Sequence, residues 1–373
     1  MHRNGRHTTR SRGVHVLGLV AVFGLVLTAC GGGDDDSTAT TTRSDGDGAA
    51  TSFESESLTF TLSSRSLSNQ MAFTAQDGGF FECFGIDANL VVSESSAVAM
   101  AALLSGDAQF MLGSRSEGVL TRAAGQDVRY LLKHSSGFAT GITVSNEIAE
   151  SLGEDFADQP IEDRVKALEG QTIASPSEGS ILTLALNKLL DEHGVSVELT
   201  FIDGPTMGAA LAQGNIDGYM FPSPFQETTV ANGEGHLLIA PTELPTGGPE
   251  SVQGPVYATD SYLEDHPDIA ARVTAAFIKA AEFMRDDEDA AKDLVHARFE
   301  DLSDDVFDLV WETNYDTYVT PLASPLSLED IEFIIENDAP GDADVQALDA
   351  ADLMPPDAVI SEAEDLAESA TCS

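Results

Sequence analysis

Basic residues are scarce in this sequence of 373 residues: 18 lysines and arginines stand against 63 aspartates and glutamates. Four of the bases precede residue 30, so a chain cleaved there keeps 14 bases and 63 acids, a formal charge of −49. We expect such a chain to bind neither nucleic acid nor anionic lipid surfaces. The acids are interleaved with apolar residues, which favours a folded body with an acidic, hydrated surface.

Sequence motifs of catalysis and of metal binding are also missing. The chain has no Gly-x-Ser-x-Gly elbow, no His-Glu-x-x-His pair, no Walker-type phosphate loop and no Cys-x-x-Cys. Beyond residue 30 its histidines are isolated from one another: His134, His193, His236, His266 and His296. The sequence therefore predicts a protein that is not an enzyme and that has no metal site and no cofactor.

The N-terminal segment has the pattern of a secretory signal peptide, which we predict over residues 1–29. Basic residues precede an apolar run at residues 14–27, which is short for a bilayer-spanning helix. The ending Leu27-Thr28-Ala29-Cys30 resembles the bacterial lipobox, in which the cysteine thiol receives a diacylglycerol and becomes the new N-terminus. We expect lipidation at Cys30 and anchoring outside the cytoplasmic membrane, because two acyl chains anchor a protein stably. An ordinary signal peptide is the alternative.

Residues 30–54 consist mainly of glycine, aspartate, serine, threonine and alanine and are predicted to form a lipidated flexible tether. About 24 such residues have an end-to-end distance of roughly 25–30 Å.

Beyond the tether two cysteines remain, Cys83 and Cys372. In an oxidising exterior they could pair as a disulfide, or Cys83 could be a buried thiol and Cys372 an exposed one.

Apolar runs alternate with helical patterns along the body, which predicts an α/β fold with parallel sheets. We predict strands at residues 58–62, 90–92, 110–112, 129–132, 171–174, 197–202, 219–221 and 236–240. Residues 101–110 and 209–218 resemble each other. Each segment predicts a short helix that ends at a glycine and is followed by a strand. Extended stretches at residues 138–144 and 252–259 are where the chain would cross between two lobes. We therefore predict one lobe from residues 55–140 and 255–373 and a second from residues 141–254.

Candidate ligand contacts lie in the turns that follow predicted strands, because ligands of open α/β sheets bind beyond the carboxyl ends of the strands. Two of these turns hold an arginine between serines, a combination that suits a carboxylate, sulfonate or nitrate. The alternative for both arginines is pairing with the acidic surface, and for Gly179-Ser180 an ordinary helix cap. The candidate ligand-binding residues are Arg65, Ser66, Ser114, Arg115, Ser116, His134, Ser177, Gly179, Ser180, Pro224 and Phe225.

The order of several short segments resembles a known family over about residues 58–362. The segments are Gly79-Phe80-Phe81 with Gly85-Ile86, Ala102-Leu103-Leu104-Ser105-Gly106, Leu168-Glu169-Gly170-Gln171-Thr172-Ile173-Ala174, Gly179-Ser180 and Ile216-Asp217. They are similar to segments of the solute-binding proteins of nitrate, sulfonate, taurine and thiamine-pyrimidine-precursor ABC importers. Gln109, Glu169 and Gln171 depart from the family pattern, as do an insert at residues 145–168 and an acidic C-terminal tail.

The resemblance implies a two-lobed periplasmic-binding-protein fold of type II, with the ligand held in the cleft between the lobes. It also implies a monomer that binds a small anionic or heterocyclic solute and delivers it to a membrane permease. Two alternatives stay open. The first alternative is an enzyme, because relatives of this fold make a thiamine pyrimidine precursor. The second alternative is a sensor or adhesion lipoprotein that has lost its role in transport.

Overall fold

The computed structural model describes residues 53–62, 65–93, 95–137, 139–178, 180–244, 252–319, 326–339 and 341–372. The predicted signal peptide, the predicted lipidation site Cys30 and the predicted tether up to residue 52 lie outside the described residues. No helix in the described ranges has the length and apolar character needed to cross a bilayer.

The described residues form ten strands and sixteen α-helices. The strands are β1 (Glu56–Leu62), β2 (Ile86–Val92), β3 (Phe110–Leu112), β4 (Arg129–Ser136), β5 (Ile142–Val144), β6 (Thr172–Ser175), β7 (Glu198–Phe201), β8 (Gly218–Tyr219), β9 (His236–Ile239) and β10 (Val252–Ala258). The first nine helices are α1 (Gln70–Asp77), α2 (Phe80–Cys83), α3 (Ser96–Ser105), α4 (Arg115–Ala123), α5 (Asn146–Leu152), α6 (Ile161–Lys166), α7 (Ile181–His193), α8 (Met207–Ala212) and α9 (Phe225–Ala231). The others are α10 (Asp260–Asp265), α11 (Pro267–Asp286), α12 (Glu288–His296), α13 (Asp304–Val319), α14 (Leu328–Asp338), α15 (Ala343–Gln346) and α16 (Asp357–Ser369).

The strands form two five-stranded sheets of the same topology. The first has the order β2-β1-β3-β10-β4 and the second β7-β6-β8-β5-β9. We call the first sheet with helices α1–α4 and α10–α16 lobe one, and the second sheet with α5–α9 lobe two. The alternation of strands and helices predicted parallel sheets, and the structure has two mixed ones. β10 runs antiparallel to β3 and β4, and β5 runs antiparallel to β8 and β9, because each enters its sheet from the other lobe.

The resemblance between residues 101–110 and 209–218 has a structural counterpart. The first segment runs from the end of α3 to the start of β3, and the second runs from the end of α8 to the start of β8. Both strands pair in parallel with the strand in the second position of their sheet, β1 or β6. Gly106 and Gly214 follow the two helices with positive φ angles of 82° and 71°, which glycine adopts without strain. The two segments therefore occupy equivalent places in the two lobes.

Each lobe has its own apolar core. In lobe one the Phe60 ring lies 5.0 Å from that of Phe81 and 5.1 Å from that of Phe110. Helix α11 covers this core with residues that recur at helical spacing, and its Val273 and Phe277 side chains are buried. In lobe two the buried residues include Ile142, Val165, Ile173, Leu186, Leu189 and Met220.

The C-terminal helix α16 packs on α11, and the chain beyond it is joined covalently to α2. Cys83 at the end of α2 and Cys372 form a disulfide with their Cα atoms 5.6 Å apart. The two cysteines are separated by 289 residues, so the bond closes a loop that includes all of lobe two.

A buried polar cluster joins the two lobes near the first chain crossing. Asn314 of α13 donates its side-chain amide to Ser223 Oγ at 3.0 Å and to Glu227 Oε1 at 3.3 Å. Gln226 accepts a hydrogen bond from the Gly141 backbone N–H at 2.9 Å, in the segment that connects β4 to β5. We call Ser223, Gln226, Glu227 and Asn314 the hinge cluster, because they link α9 of lobe two, α13 of lobe one and the crossing segment.

Candidate functional site

A cavity of about 440 Å³ is lined by residues of both lobes and of the first crossing. Most of its lining follows the carboxyl ends of strands, where the turns lead into helices. Lobe one contributes Ser66, Ser68, Asn69, Ser95, Ser96, Gly113, Ser114, His134, Ser135, Ser136, Gln253, Gly254 and Thr317. The crossing contributes Gly137, Ala139 and Thr140, and lobe two contributes Pro176, Ile181, Leu182, Ile202, Asp203, Gly204, Phe221 and Pro222.

The wall formed by lobe one is polar, and seven of its described residues are serines. They lie after β1, after β2, after β3 and at the end of β4, because the sequence places a serine-rich turn at each of these strand ends. Hydroxyl groups both donate and accept hydrogen bonds, so this wall can bind polar groups of either kind.

The helix N-termini at the cavity already use acceptors of their own chain. Ser95 Oγ accepts from the Val98 N–H at the start of α3, and Ser180 Oγ accepts from the Thr183 N–H at the start of α7. At α4 the Ser114 N–H donates to the Glu117 carboxylate at 3.0 Å. Burial raises the pKa of Glu117, while hydrogen bonds from Ser96 and from the Ser114 backbone oppose the increase. These caps reduce the positive potential that a helix N-terminus offers to an anion.

His134 is the most deeply buried titratable side chain on the cavity wall, with 1% of its surface exposed. Its ring lies directly against Gly254 of β10, where a Cβ atom would be 2.6 Å from Cε1 and 2.7 Å from Nε2. Burial lowers the pKa of His134 to about 3, so the imidazole is neutral at physiological pH. Neither ring nitrogen has a hydrogen-bond partner among the described residues, and the same holds for Ser136 Oγ and Gln253 Nε2.

The wall formed by lobe two is largely apolar. Its side chains are those of Pro176, Ile181, Leu182, Ile202, Phe221 and Pro222, and Asp203 is the only charged one among the residues of this wall that the structure describes. Sequence reasoning placed this apolar wall at Pro224 and Phe225, and the structure corrects it by a few residues. Those two residues do not line the cavity; the Phe225 ring packs 4.9 Å from the Phe221 ring, which does.

The two arginines predicted to contact ligand are engaged elsewhere, and both assignments need correction. Arg115 is 3% exposed, and its guanidinium forms a two-pronged ion pair with the Asp338 carboxylate. Arg65 lies 3.6 Å from Asp301 and donates to the Arg298 carbonyl. Neither side chain lines the cavity, because each turns towards an acid of the helical C-terminal part of the chain.

The remaining predicted residues divide into three groups. Ser66, Ser114 and His134 line the cavity. Ser116, Ser177 and Ser180 do not: Ser116 Oγ is 3.1 Å from Ser114 Oγ, and the other two lie in the turn before α7. Gly179 lies outside the described residues. The structure therefore brings together only some of the candidate residues that were chosen because they follow predicted strands.

Several cavity residues were missed by sequence reasoning, among them Ser95, Ser96, Ile202, Asp203 and Gln253. The first four follow β2 and β7. The rule that selects turns after predicted strands would have found Ser95, Ser96 and Asp203, whereas Ile202 was placed in the predicted strand itself. Gln253 lies near the start of β10, and only the pairing of that strand with β4 brings it to the cavity. Within the described residues no group of three or more histidine, cysteine or acidic side chains could hold a metal ion.

Comparison with known sequences gives the family. Residues 54–297 match the sequence model of the NMT1-like family. The chain belongs to the NMT1-like family. This confirms the resemblance drawn from the short segments. No protein of curated function matches the sequence.

Solved structures of similar fold cover most of the chain. The periplasmic aliphatic sulphonate binding protein SsuA of Escherichia coli has a TM-score of 0.64 at 17% identity, over 82% of this chain and 99% of that one. The periplasmic nitrate-binding protein NrtA of Synechocystis has a TM-score of 0.64 at 13% identity, over 86% and 92%. DszB in complex with biphenyl-2-sulfinic acid has a TM-score of 0.60 at 17% identity, over 82% and 99%. The predicted two-lobed α/β periplasmic-binding-protein fold is confirmed.

Proposed function

We propose that this protein is the extracytoplasmic solute-binding lipoprotein of an ABC importer, and that it delivers a small molecule to a membrane permease. The observation that carries the proposal is a cavity of about 440 Å³ to which both lobes and the crossing contribute. A solute in that cavity contacts both lobes at once, which is the requirement for a protein that closes around its ligand. The structures of SsuA and NrtA, which are similar to this chain, are those of a sulphonate-binding and a nitrate-binding protein, and this supports the same function.

The proposed mechanism is closure about the crossings. Ligand contacts with both lobes are complete only when the lobes approach, so binding shifts the population from open to closed forms. A permease then distinguishes the loaded protein from the empty one by the relative position of the lobes. The hinge cluster lies beside the crossing segment, so we expect such a motion to change its environment.

We propose that the protein acts outside the cytoplasmic membrane as a monomer, held by lipid at Cys30. The signal-like segment that ends at Cys30 supports export, and the tether gives the body its reach towards a permease. We also propose that the protein binds its ligand without turnover. Unchanged recovery of the bound solute after prolonged incubation is the expected result, and a released product would favour the enzyme alternative.

The experiment is a thermal-shift screen of the mature protein in detergent against nitrate, sulfonates, carboxylates and pyrimidines, followed by titration calorimetry of the hits. A ligand at 100 times its Kd stabilises the folded state by about 2.7 kcal/mol. Ser96→Trp fills the cavity, and Ser105→Trp is the matched control on an exposed residue at the other end of α3. Stabilisation lost in the first variant and kept in the second supports the proposal. A screen without hits, or a shift that survives Ser96→Trp, contradicts it.

A further inference from the structure

The cavity has two chemically unlike walls, and no arginine or lysine is among its described lining residues. We infer that the ligand is an uncharged molecule with a polar end that both donates and accepts hydrogen bonds at His134, Ser136 and Gln253, and with an apolar body that packs on lobe two. This inference rests on the proposed function, because it names the ligand class of the same cavity. An uncharged ligand would differ from those of SsuA and NrtA, which are a sulphonate-binding and a nitrate-binding protein.

The charges around the cavity disfavour an anion. The bases of neighbouring turns and strands are committed to acids: Arg115 to Asp338, and Lys133 to Asp330 at 3.6 Å. The charged side chain on the wall is Asp203, and the Glu117 carboxylate lies directly behind Ser114. An anionic ligand would therefore give up its hydration without gaining a cationic partner, which is unfavourable for a buried charge.

Three of the residues that line the cavity carry buried polar atoms. His134 and Ser136 lie on β4, and Gln253 lies on the adjacent β10, which pairs with β4. Both ring nitrogens of His134, the Ser136 hydroxyl and the Gln253 amide nitrogen have no hydrogen-bond partner among the described residues. A neutral imidazole offers one donor and one acceptor, and the amide nitrogen offers only donors. A ligand that satisfies these groups must carry both acceptor and donor atoms.

The opposite wall selects an apolar body. Ile181, Leu182, Ile202 and Phe221 present aliphatic and aromatic surface to the cavity from three separate segments of lobe two. Burying apolar surface contributes roughly 25 cal/mol per Å². A volume of about 440 Å³ lies within the range of sites for organic ligands and greatly exceeds what a nitrate ion fills. The body of the ligand is therefore expected to be a ring or a short branched chain.

Matched probe pairs test the inference on the mature protein by ligand-observed NMR titration. The uncharged probes are benzamide, nicotinamide and benzenesulfonamide, and their anionic partners are benzoate, nicotinate and benzenesulfonate. Acetamide and methanesulfonamide lack the apolar body. We expect at least one uncharged aromatic probe to bind about tenfold more tightly than its anionic partner and its small analogue, which corresponds to about 1.4 kcal/mol.

Variants assign the binding to the two walls. His134→Phe and Gln253→Leu remove buried polar atoms that have no partner in the described structure, so we expect an unchanged or higher Tm together with a tenfold or greater loss of probe affinity. A purely structural role would lower the Tm instead. Ile202→Thr weakens the apolar wall, and the adjacent Phe201→Thr is its control, because Phe201 is exposed and does not line the cavity.

The outcomes separate this inference from the proposed function. Anionic probes that bind as tightly as their uncharged partners, in a manner that Ser96→Trp abolishes, overturn the inference and leave solute binding in the cavity intact. Failure of every uncharged aromatic probe also overturns it, and hits among the anions of the wider screen would still support solute binding. If neither the probes nor the wider screen gives a ligand, both proposals fail.

Discussion

The Arg115 guanidinium and the Asp338 carboxylate form a buried ion pair that joins the start of α4 to the end of α14. The Nε–Oδ2 and Nη2–Oδ1 distances are both 2.9 Å. The same guanidinium donates to the Val252 carbonyl at the start of β10 and lies 5.2 Å from the centre of the Phe333 ring. A residue that the sequence suggested as a ligand contact thus connects three elements of lobe one.

Removal of one partner of this pair is expected to destabilise the protein. Arg115→Ala or Asp338→Ala leaves the other charge buried, which costs about 3–5 kcal/mol. Urea unfolding followed by circular dichroism measures the change. Lys166→Ala is the control, because Lys166 and Asp163 form an exposed pair at 3.5 Å, worth about 0–1 kcal/mol. A loss below about 1 kcal/mol in both Arg115→Ala and Asp338→Ala would contradict the assignment.

Glu227 of the hinge cluster is expected to make stability depend on pH. Burial raises its pKa above 4.5, although hydrogen bonds from Ser223, Gln226 and Asn314 oppose the increase. The protonated form is therefore favoured in the folded state, and its contribution is full below the unfolded pKa and is lost as pH rises through the folded pKa. Relative to Glu227→Gln, the wild-type protein should lose free energy of unfolding between pH 4.5 and neutrality.

Glu243 provides a control of opposite sign for that experiment. A hydrogen bond from Arg164 lowers the pKa of the Glu243 carboxyl, with burial opposing. Its contribution is present above the unfolded pKa and is lost as pH falls through the folded pKa. Unfolding in urea at pH 4, 5.5, 7 and 8 compares Glu227→Gln and Glu243→Gln with the wild-type protein. Parallel pH profiles for the two variants would contradict the prediction for Glu227.

Loss of the Cys83–Cys372 disulfide is expected to lower stability. The bond closes a loop of nearly the whole body, and its removal costs about 2–4 kcal/mol, chiefly because the unfolded chain becomes less constrained. Cys83→Ser, Cys372→Ser and the double variant should unfold alike, and reductant should affect only the wild-type protein. Additive losses in the two single variants would indicate that the cysteines act independently.

Lipidation at Cys30 predicts a simple partitioning result. In a bacterial host the full-length protein should enter the detergent phase of a Triton X-114 extraction, and its N-terminal peptide should carry a diacylglycerol by mass spectrometry. Cys30→Ser removes the acceptor thiol, so the protein should move to the aqueous phase. Retention of Cys30→Ser in the detergent phase would point to a different anchor.

Local patterns in the sequence were sufficient to find most strands and the long helix α11. The predicted strand at residues 110–112 coincides with β3, and the buried residues of α11 recur at helical spacing. Sheet order was beyond such patterns, because the position of β10 between β3 and β4 depends on pairing with strands far away in sequence. The antiparallel strands β5 and β10 were not foreseen for the same reason.

The cavity was predicted only in part, again for a physical reason. A serine that follows an apolar strand is visible in the sequence, and Ser66 and Ser114 were selected in this way. Arg115 forms its ion pair with Asp338, which is 223 residues further along the chain, so no local pattern could reveal this pair. Gln253 reaches the cavity through pairing of β10 with β4, which is also a long-range contact.

The order of strands in the first sheet has a consequence for the order in which the two lobes can fold. All five strands of lobe two follow one another in sequence, so that lobe can assemble as soon as those strands have been synthesised. Lobe one begins earlier, but its sheet lacks the strand between β3 and β4 until β10 has been added, and its disulfide requires Cys372. The half of the molecule that is made first is therefore expected to be the last to reach its native form.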